Sequence, residues 1–534
     1  MDAKDSAWDH IVVGAGSAGA IVAARLSEDP GRRVLLIEAG GEANQLRFRI
    51  PALAAMKALG DPECDWLFRT EPDGTRVGRT DVWFRGKVLG GSSNVNGTIY
   101  VRGNRGDYDN WAKLGNAGWD YDSLLPYFQR LERGTGPVAT QYGSNGPIRI
   151  SRAKGVPRIA QAFVDAMAEL GVPPNDHYNG ENQTGATLAH FNQYKGLRES
   201  TAHSYLEVAA QRSNLSVITH AVARRILWEG TRAVGVEFDH QGGTRTAYAA
   251  NDIVLSASAF NTPKLLMLSG IGDPEHLRTH GIPVVHANSA VGRNLQEHPA
   301  VPIKAFVKGH TTNLDMNPIG KAKIGLQWML TRGGPATFVF PAIAFTKSQP
   351  DLEYPDLQFH FGALANDITP EGVKWLDRPA VTMLVNVNRS ASSGVVELRS
   401  ADPLDPPKIH PNMLADQSEV ELLKKGVMLG RKIWHTRAFA PFFESEYQPD
   451  GALLDDAALE AFVRREAGPA YHACGTAKMG VDGTAVVDPR LRVIGVDNLR
   501  VIDCSIIPHI PSGNINAISM AIGEKGAAMI KEDY

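Results

Sequence analysis

The hydrophobic pattern of the chain is broken into short apolar runs, most no longer than a buried strand. Residues 10–13 (His-Ile-Val-Val) and 34–37 (Val-Leu-Leu-Ile) are two of them. Between them stand Gly14-Ala15-Gly16-Ser17-Ala18-Gly19 and an Ala-rich stretch, so the order predicts strand, glycine turn, helix, strand. Residues 158–170 place their apolar positions on one face of an amphipathic helix. Strands are predicted at 215–219 and 233–238, separated by a turn at Thr231 and followed by Gly242-Gly243. Another, over 252–257, enters a loop and helix. The texture changes between 296 and 465, where 357–361 and 381–387 suggest an antiparallel sheet. Short strands and Gly-rich turns return after 470, and a helix is predicted over about 517–531. The stretch from 40 to 115 is Gly-rich and polar without strong periodicity, which predicts a segment laid along a ligand.

The first turn carries chemistry. Gly14 lets the chain turn tightly, Gly16 lets backbone approach a pyrophosphate, and Gly19 lets the helix pack on the strand. The helix N-terminus offers free N–H groups and the positive end of its dipole to phosphates. Glu38 closes the second strand 19 residues after Gly19, placed to accept hydrogen bonds from a ribose hydroxyl pair. Together these predict a dinucleotide site.

Composition sets the frame. A chain of 534 residues exceeds one ordinary core, so at least two large units are expected. The expected fold is α/β with two domains: a Rossmann-like dinucleotide domain from 1–155, 213–295 and 466–534, and an inserted antiparallel-sheet substrate-binding domain from 156–212 and 296–465. A net charge of −3 gives the whole chain no electrostatic case for nucleic acid or an anionic membrane. Cys64, Cys474 and Cys504 are too few and too far apart for a disulfide framework or a CxxC metal site, and a reducing cytoplasm fits them. No signal-peptide pattern opens the chain, and no apolar run reaches the roughly 18 residues of a membrane span.

Three further blocks stand out. Residues 85–100 hold Gly90 and Gly91, which remove side chains where a flat ring or a phosphate could lie. Ser92, Ser93, Asn94 and Asn96 add uncharged donors and acceptors there. Residues 258–272 predict a scaffold helix capped by Asn261 or Thr262, with Pro263 in its first turn and Gly270 and Gly272 at its end. His472 sits among small residues on a turn, 42 positions before Asn514 in Ser512-Gly513-Asn514-Ile515-Asn516.

Together, over nearly the whole chain, these blocks resemble the glucose–methanol–choline (GMC) oxidoreductases, FAD enzymes that oxidise alcohols. Residues 86–103 look like the family's first signature and 258–272 like its second. The resemblance implies that His472 is the active-site histidine and Asn514 its partner. It further implies that Glu38 holds the adenosine ribose, that Val222 faces the adenine through its backbone, and that Gly91, Ser92, Asn94, Asn96, Gly97 and Thr98 line the flavin. Asp503 would lie near the ribityl chain and pyrophosphate, and Ser17, Ala18, Ala39, Val88 and Ile515 complete the cofactor set. Some members attach FAD through a histidine just before the Asn of the first signature; Val95 stands there, so FAD is expected to be non-covalent.

The implied reaction is oxidation of an alcohol, a primary one, to an aldehyde by hydride transfer to flavin N5, with His472 as general base. The implied partners are the alcohol and a quinone or dye-type acceptor, with no oligomeric state implied. An alcohol oxidase using O2, and a redox-neutral lyase or photodecarboxylase on the same scaffold, are the alternatives. Trp328, Phe338, Phe340, Phe359, Phe361 and Trp375 hint at room for a substrate bulkier or less polar than choline, although core packing also accounts for most of them.

Overall fold

The computed structural model describes residues 8–369, 372–450 and 455–534. Its first sheet has five parallel strands in the order Leu215–Ile218, Val34–Ile37, His10–Val13, Ile253–Leu255, Leu499–Val501. The middle three are buried at every position, because layers cover both faces. On one side the Gly19–Leu26 helix packs against the C-terminal Asn516–Asp533 helix, close enough that a Cβ on Gly523 would stand 2.8 Å from the Ala18 carbonyl oxygen. On the other lies a three-stranded antiparallel meander, Ala221–Glu229, Arg232–His240 and Gly243–Tyr248.

The second sheet runs Phe443–Gln448, Pro299–Val307, Ala380–Val387, Leu357–Gly362, Ala342–Thr346, Gly185–Leu188, with Gly468–Pro469 also paired to Pro299–Val307. Every pairing in it is antiparallel. One face carries Val301, Ile303, Phe359, Phe361, Met383 and Val385 into a core completed by the Arg158–Glu169 and Gln417–Ile433 helices. Period-two alternation sends Ala300, Gln358, His360, Leu384 and Asn386 to the opposite face. Four of these, all but Gln358, line the main cavity.

Two expectations are corrected here. The predicted helix over 258–272 starts at Ser258 rather than after Thr262, so Pro263 is interior. The Thr262 hydroxyl caps nothing in the predicted register; it accepts from the Ala257 N–H and donates to Asp503 Oδ2 at 2.6 Å. Of the six aromatic residues singled out in the 296–465 region, only Phe340 lines the cavity. Phe359 and Phe361 face the core, where Phe361 stacks on Phe163, and Trp328 lies on a surface helix.

Candidate active site

A cavity of about 490 Å³ runs from the glycine turn to the second sheet. Gly14 turns there with φ +98°, and a Cβ on it would meet the Ser256 carbonyl oxygen at 2.4 Å. Gly91, at φ +50°, would carry a Cβ 2.8 Å from the Gly16 Cα, so the two glycine loops touch. Gly14, Gly16, Ser17 and Ala18 line the cavity at the N-terminus of the Gly19–Leu26 helix, which no side chain caps. Glu38 is buried and accepts from the Ala15 and Gly40 N–H groups, each at 2.8 Å. Burial raises its pKa; those N–H groups and the Lys87 charge oppose the rise.

Ala39, Ser92, Asn96, Gly97, Thr98, Val222, Asp503 and Ile515 also line the cavity. Gly19, Val88 and Asn94 do not. A Cβ on Gly19 would stand 2.0 Å from the Gly14 carbonyl oxygen, so this glycine serves packing. Val88 is buried behind the wall, and the Asn94 amide donates to the Leu89 carbonyl within its own loop. The 258–272 block is more than scaffold: Ser258, Asn261, Lys264, Leu265 and Leu268 form part of the wall.

At the far end four segments meet around His472. Asn514 Nδ2 lies 3.1 Å from His472 Nε2, and His472 Nδ1 lies 2.9 Å from His298 Nδ1. His298 Nε2 is 3.2 Å from the Asn388 carbonyl oxygen. That carbonyl can only accept, so His298 carries its proton on Nε2 and presents a lone pair at Nδ1. His472 must then carry its proton on Nδ1, which leaves the Nε2 lone pair facing the Asn514 amide. Asn514 Oδ1 accepts from Gln358 Nε2 at 3.3 Å, which fixes the amide with its N–H toward His472. The tautomer of the cavity histidine is thus set by a backbone carbonyl two side chains away.

Burial depresses the pKa of all three histidines here: His472 well below its ordinary value, His298 to about 3 and His360 to about 4. All three are therefore neutral near pH 7, and His472 Nε2 is a proton acceptor.

Beneath this chain, Glu297 takes the His472 N–H at 2.7 and 2.8 Å on its two oxygens and the His298 N–H at 2.8 Å. Burial pushes its pKa up to about 7 against Arg85 and these donors. The contacts clamp the turn at Tyr471, whose φ of +66° is strained for a side-chain-bearing residue. Glu297, His298 and His472 also have the spacing of metal ligands. Their atoms are already committed, however: the carboxylate to main-chain N–H groups and the two Nδ1 atoms to one shared proton.

The sequence reading missed Glu297, His298, Gln358 and His360. Glu297-His298, just before a nine-residue strand, was the one available cue, and it carries no spacing rule that points to His472.

Comparison with known proteins fits this geometry. Family profiles described as GMC oxidoreductase match residues 8–300 and 390–523. The chain belongs to the GMC oxidoreductase family. Its relatives include the mitochondrial choline dehydrogenase of Mus musculus, 41% identical over 98% of this chain and 89% of the relative. The oxygen-dependent choline dehydrogenase of Brucella melitensis is 40% identical, over 98% and 95%. Among solved structures, pyridoxine 4-oxidase from Mesorbium loti superposes with a TM-score of 0.90 at 30% identity, covering 99% of this chain and 100% of that one. This GMC oxidoreductase is an FAD-dependent alcohol oxidoreductase. The touching glycine loops, the open helix N-terminus and the single cavity reaching His472 fit a long dinucleotide.

Proposed function

We propose that the chain oxidises an uncharged primary alcohol to the aldehyde with His472 as general base, holds FAD non-covalently, and passes electrons to a quinone or dye-type acceptor. The observation that carries this reading is the His472 Nε2 lone pair held open beside Asn514 Nδ2. FAD supplies the hydride acceptor. The substrate hydroxyl replaces the Asn514–His472 hydrogen bond, donating to His472 Nε2 and accepting from Asn514 Nδ2. As Nε2 takes the proton, the positive charge is shared through Nδ1–H to His298, whose own N–H leans on the Asn388 carbonyl. Two fixed partners on one oxygen also orient the carbinol carbon.

The cavity wall supports an uncharged substrate. Ala300, Val339, Phe340, Leu384, Pro469 and Ala470 are apolar. Among the described lining residues the only carboxylates are Glu38 and Asp503. Glu38 is held by main-chain N–H groups, and Asp503 by the Ser258 N–H, the Ser505 N–H and the Thr262 hydroxyl. Neither is left to pair a quaternary ammonium, and the other charges on the wall, Arg85 and Lys264, are positive. Val95 lines the cavity and has no nucleophile, which supports dissociable FAD. The mitochondrial relative at 41% identity is named a dehydrogenase, which supports an acceptor other than O2, whereas the Brucella relative at 40% is named oxygen-dependent.

The test is anaerobic loss of flavin absorbance with choline and with 3,3-dimethylbutan-1-ol, its uncharged isostere. The isostere should give the higher kcat/KM, and acid denaturation should strip the yellow colour from the protein. Faster reduction by choline would overturn the substrate reading, and retained colour would overturn the non-covalent one.

A further inference from the structure

The Pro318–Thr331 helix lies on the surface with the wrong side apolar. Its cap is ordinary, Asn317 Oδ1 accepting from the Gly320 N–H at 2.9 Å. Its inner side is anchored by Trp328, whose Nε1 donates to the Gly196 carbonyl at 2.9 Å. At about 100° per residue, Ile319, Ala322, Leu326, Met329 and Leu330 fall within one arc. That arc points away from the protein: Ile319 is 71% exposed, Leu326 53%, Met329 60% and Leu330 76%. A surface helix normally turns its apolar stripe inward, and contiguous exposed apolar groups mark a surface that something else covers.

Charge says what covers it. From 316 to 350 the chain holds Lys321, Lys323, Arg332 and Lys347 and no Asp or Glu, although the whole chain is at −3. On the helix wheel Lys323 borders the apolar arc. Apolar residues flanked by cations suit a bilayer surface with anionic headgroups, where the side chains enter the acyl boundary and the ammonium groups meet phosphate. A second copy meeting the same patch about a two-fold axis would oppose the lysines to themselves.

The helix also adjoins the cavity. It continues through Gly333-Gly334 into the Pro335–Thr337 turn, which packs against the Pro51–Lys57 helix. Pro51 and Ala55 of that helix, and Val339 and Phe340 just after the turn, are cavity wall.

We propose that the Pro318–Thr331 helix seats this protein on the surface of an anionic membrane, peripherally, with its apolar arc in the headgroup boundary. Among the described residues no helix is long and apolar enough to cross. The proposal is independent of the alcohol oxidised, because its test reads binding.

The test is flotation of the FAD-loaded protein with vesicles of phosphatidylcholine alone or mixed with phosphatidylglycerol. The protein should float with the mixed vesicles about tenfold more than with the neutral ones, and less as salt is raised. The double variant Leu326→Glu/Leu330→Glu should lose about tenfold of that binding, while oxidation of alcohol with a soluble dye is unchanged. Lys321→Glu/Lys323→Glu should lose the preference for anionic lipid. Failure of the wild type to float would overturn the proposal, as would variants that float equally well. So would a dimer in light scattering that Leu326→Glu/Leu330→Glu converts to monomer, since the patch would then belong to a second copy.

Discussion

At the Gly14 end of the cavity, the groups offered to a ligand are main-chain atoms of one short segment, with Glu38 close behind. At the His472 end they are side chains from distant segments: His298, Gln358, His472 and Asn514. The first end needs only shape. Glycines remove Cβ atoms, a helix N-terminus supplies donors, and no group need change protonation. The second end needs a particular proton on a particular nitrogen, which only a chain of contacts can specify. Binding here is local, and chemistry is assembled.

Breaking the assembled end at its tip should have the largest effect. His472→Ala should slow anaerobic flavin reduction by alcohol about 10²–10⁴-fold, the scale of a general base, with the flavin spectrum retained. An unchanged rate would reduce His472 to wall. One step back, His298→Ala frees the His472 ring to take the other tautomer and should cost about 10²-fold. His298→Asn keeps an acceptor toward His472 and a donor toward the Asn388 carbonyl, so it should recover much of the rate. If both variants behave alike, His298 is packing rather than positioning. The pH dependence of stability sharpens the same contrast. His298 and His360 titrate in the folded state at about 3 and about 4, below the ordinary 6.5, so the unfolded chain binds protons first. The contribution of these two groups to stability should fall as pH drops below 6.5, approaching about 1.4 kcal/mol per pH unit for each histidine, while Glu297, raised to about 7, opposes part of the fall down to about pH 4.5. Urea midpoints between pH 7.5 and 5 check this, and His360→Asn should flatten the slope. The smallest effect is expected for Asn514→Ala, about tenfold in the reductive rate, because it removes one hydrogen bond and leaves the base.

The same contrast explains what could be read in advance. Strand, glycine turn, helix and acid follow one another within 30 residues, so the Gly14 end was legible from spacing. His472 and Asn514 entered through family resemblance. The Glu297-His298 pair before a strand does not by itself give His298 a role, because its meaning lies in a contact 174 residues away. Leu357–Gly362 shows the limit of pattern: its alternation predicts an antiparallel strand but does not say which face is cavity. The eye falls on Phe359 and Phe361, yet the wall is built by His360. The strand Ala221–Glu229 escaped notice because Arg224 and Arg225 interrupt its apolar pattern, and their charge is met by Glu237 and Asp239 on the neighbouring strand. Thr262 looked like a helix cap only because its true partner, Asp503, is 241 residues distant.

The hydrogen-bond chain behind His472 ends on the main-chain oxygen of residue 388, and every amino acid carries that oxygen. Point mutation at 388 can change the side chain but cannot delete the acceptor. Along that chain the placement of the proton therefore rests on two side chains, His298 and His472, while Glu297 holds the turn beneath them. The neighbouring wall at Leu384, Val339 and Phe340 is free to drift with the alcohol being used. Such an enzyme can change its diet without relearning how to take a proton.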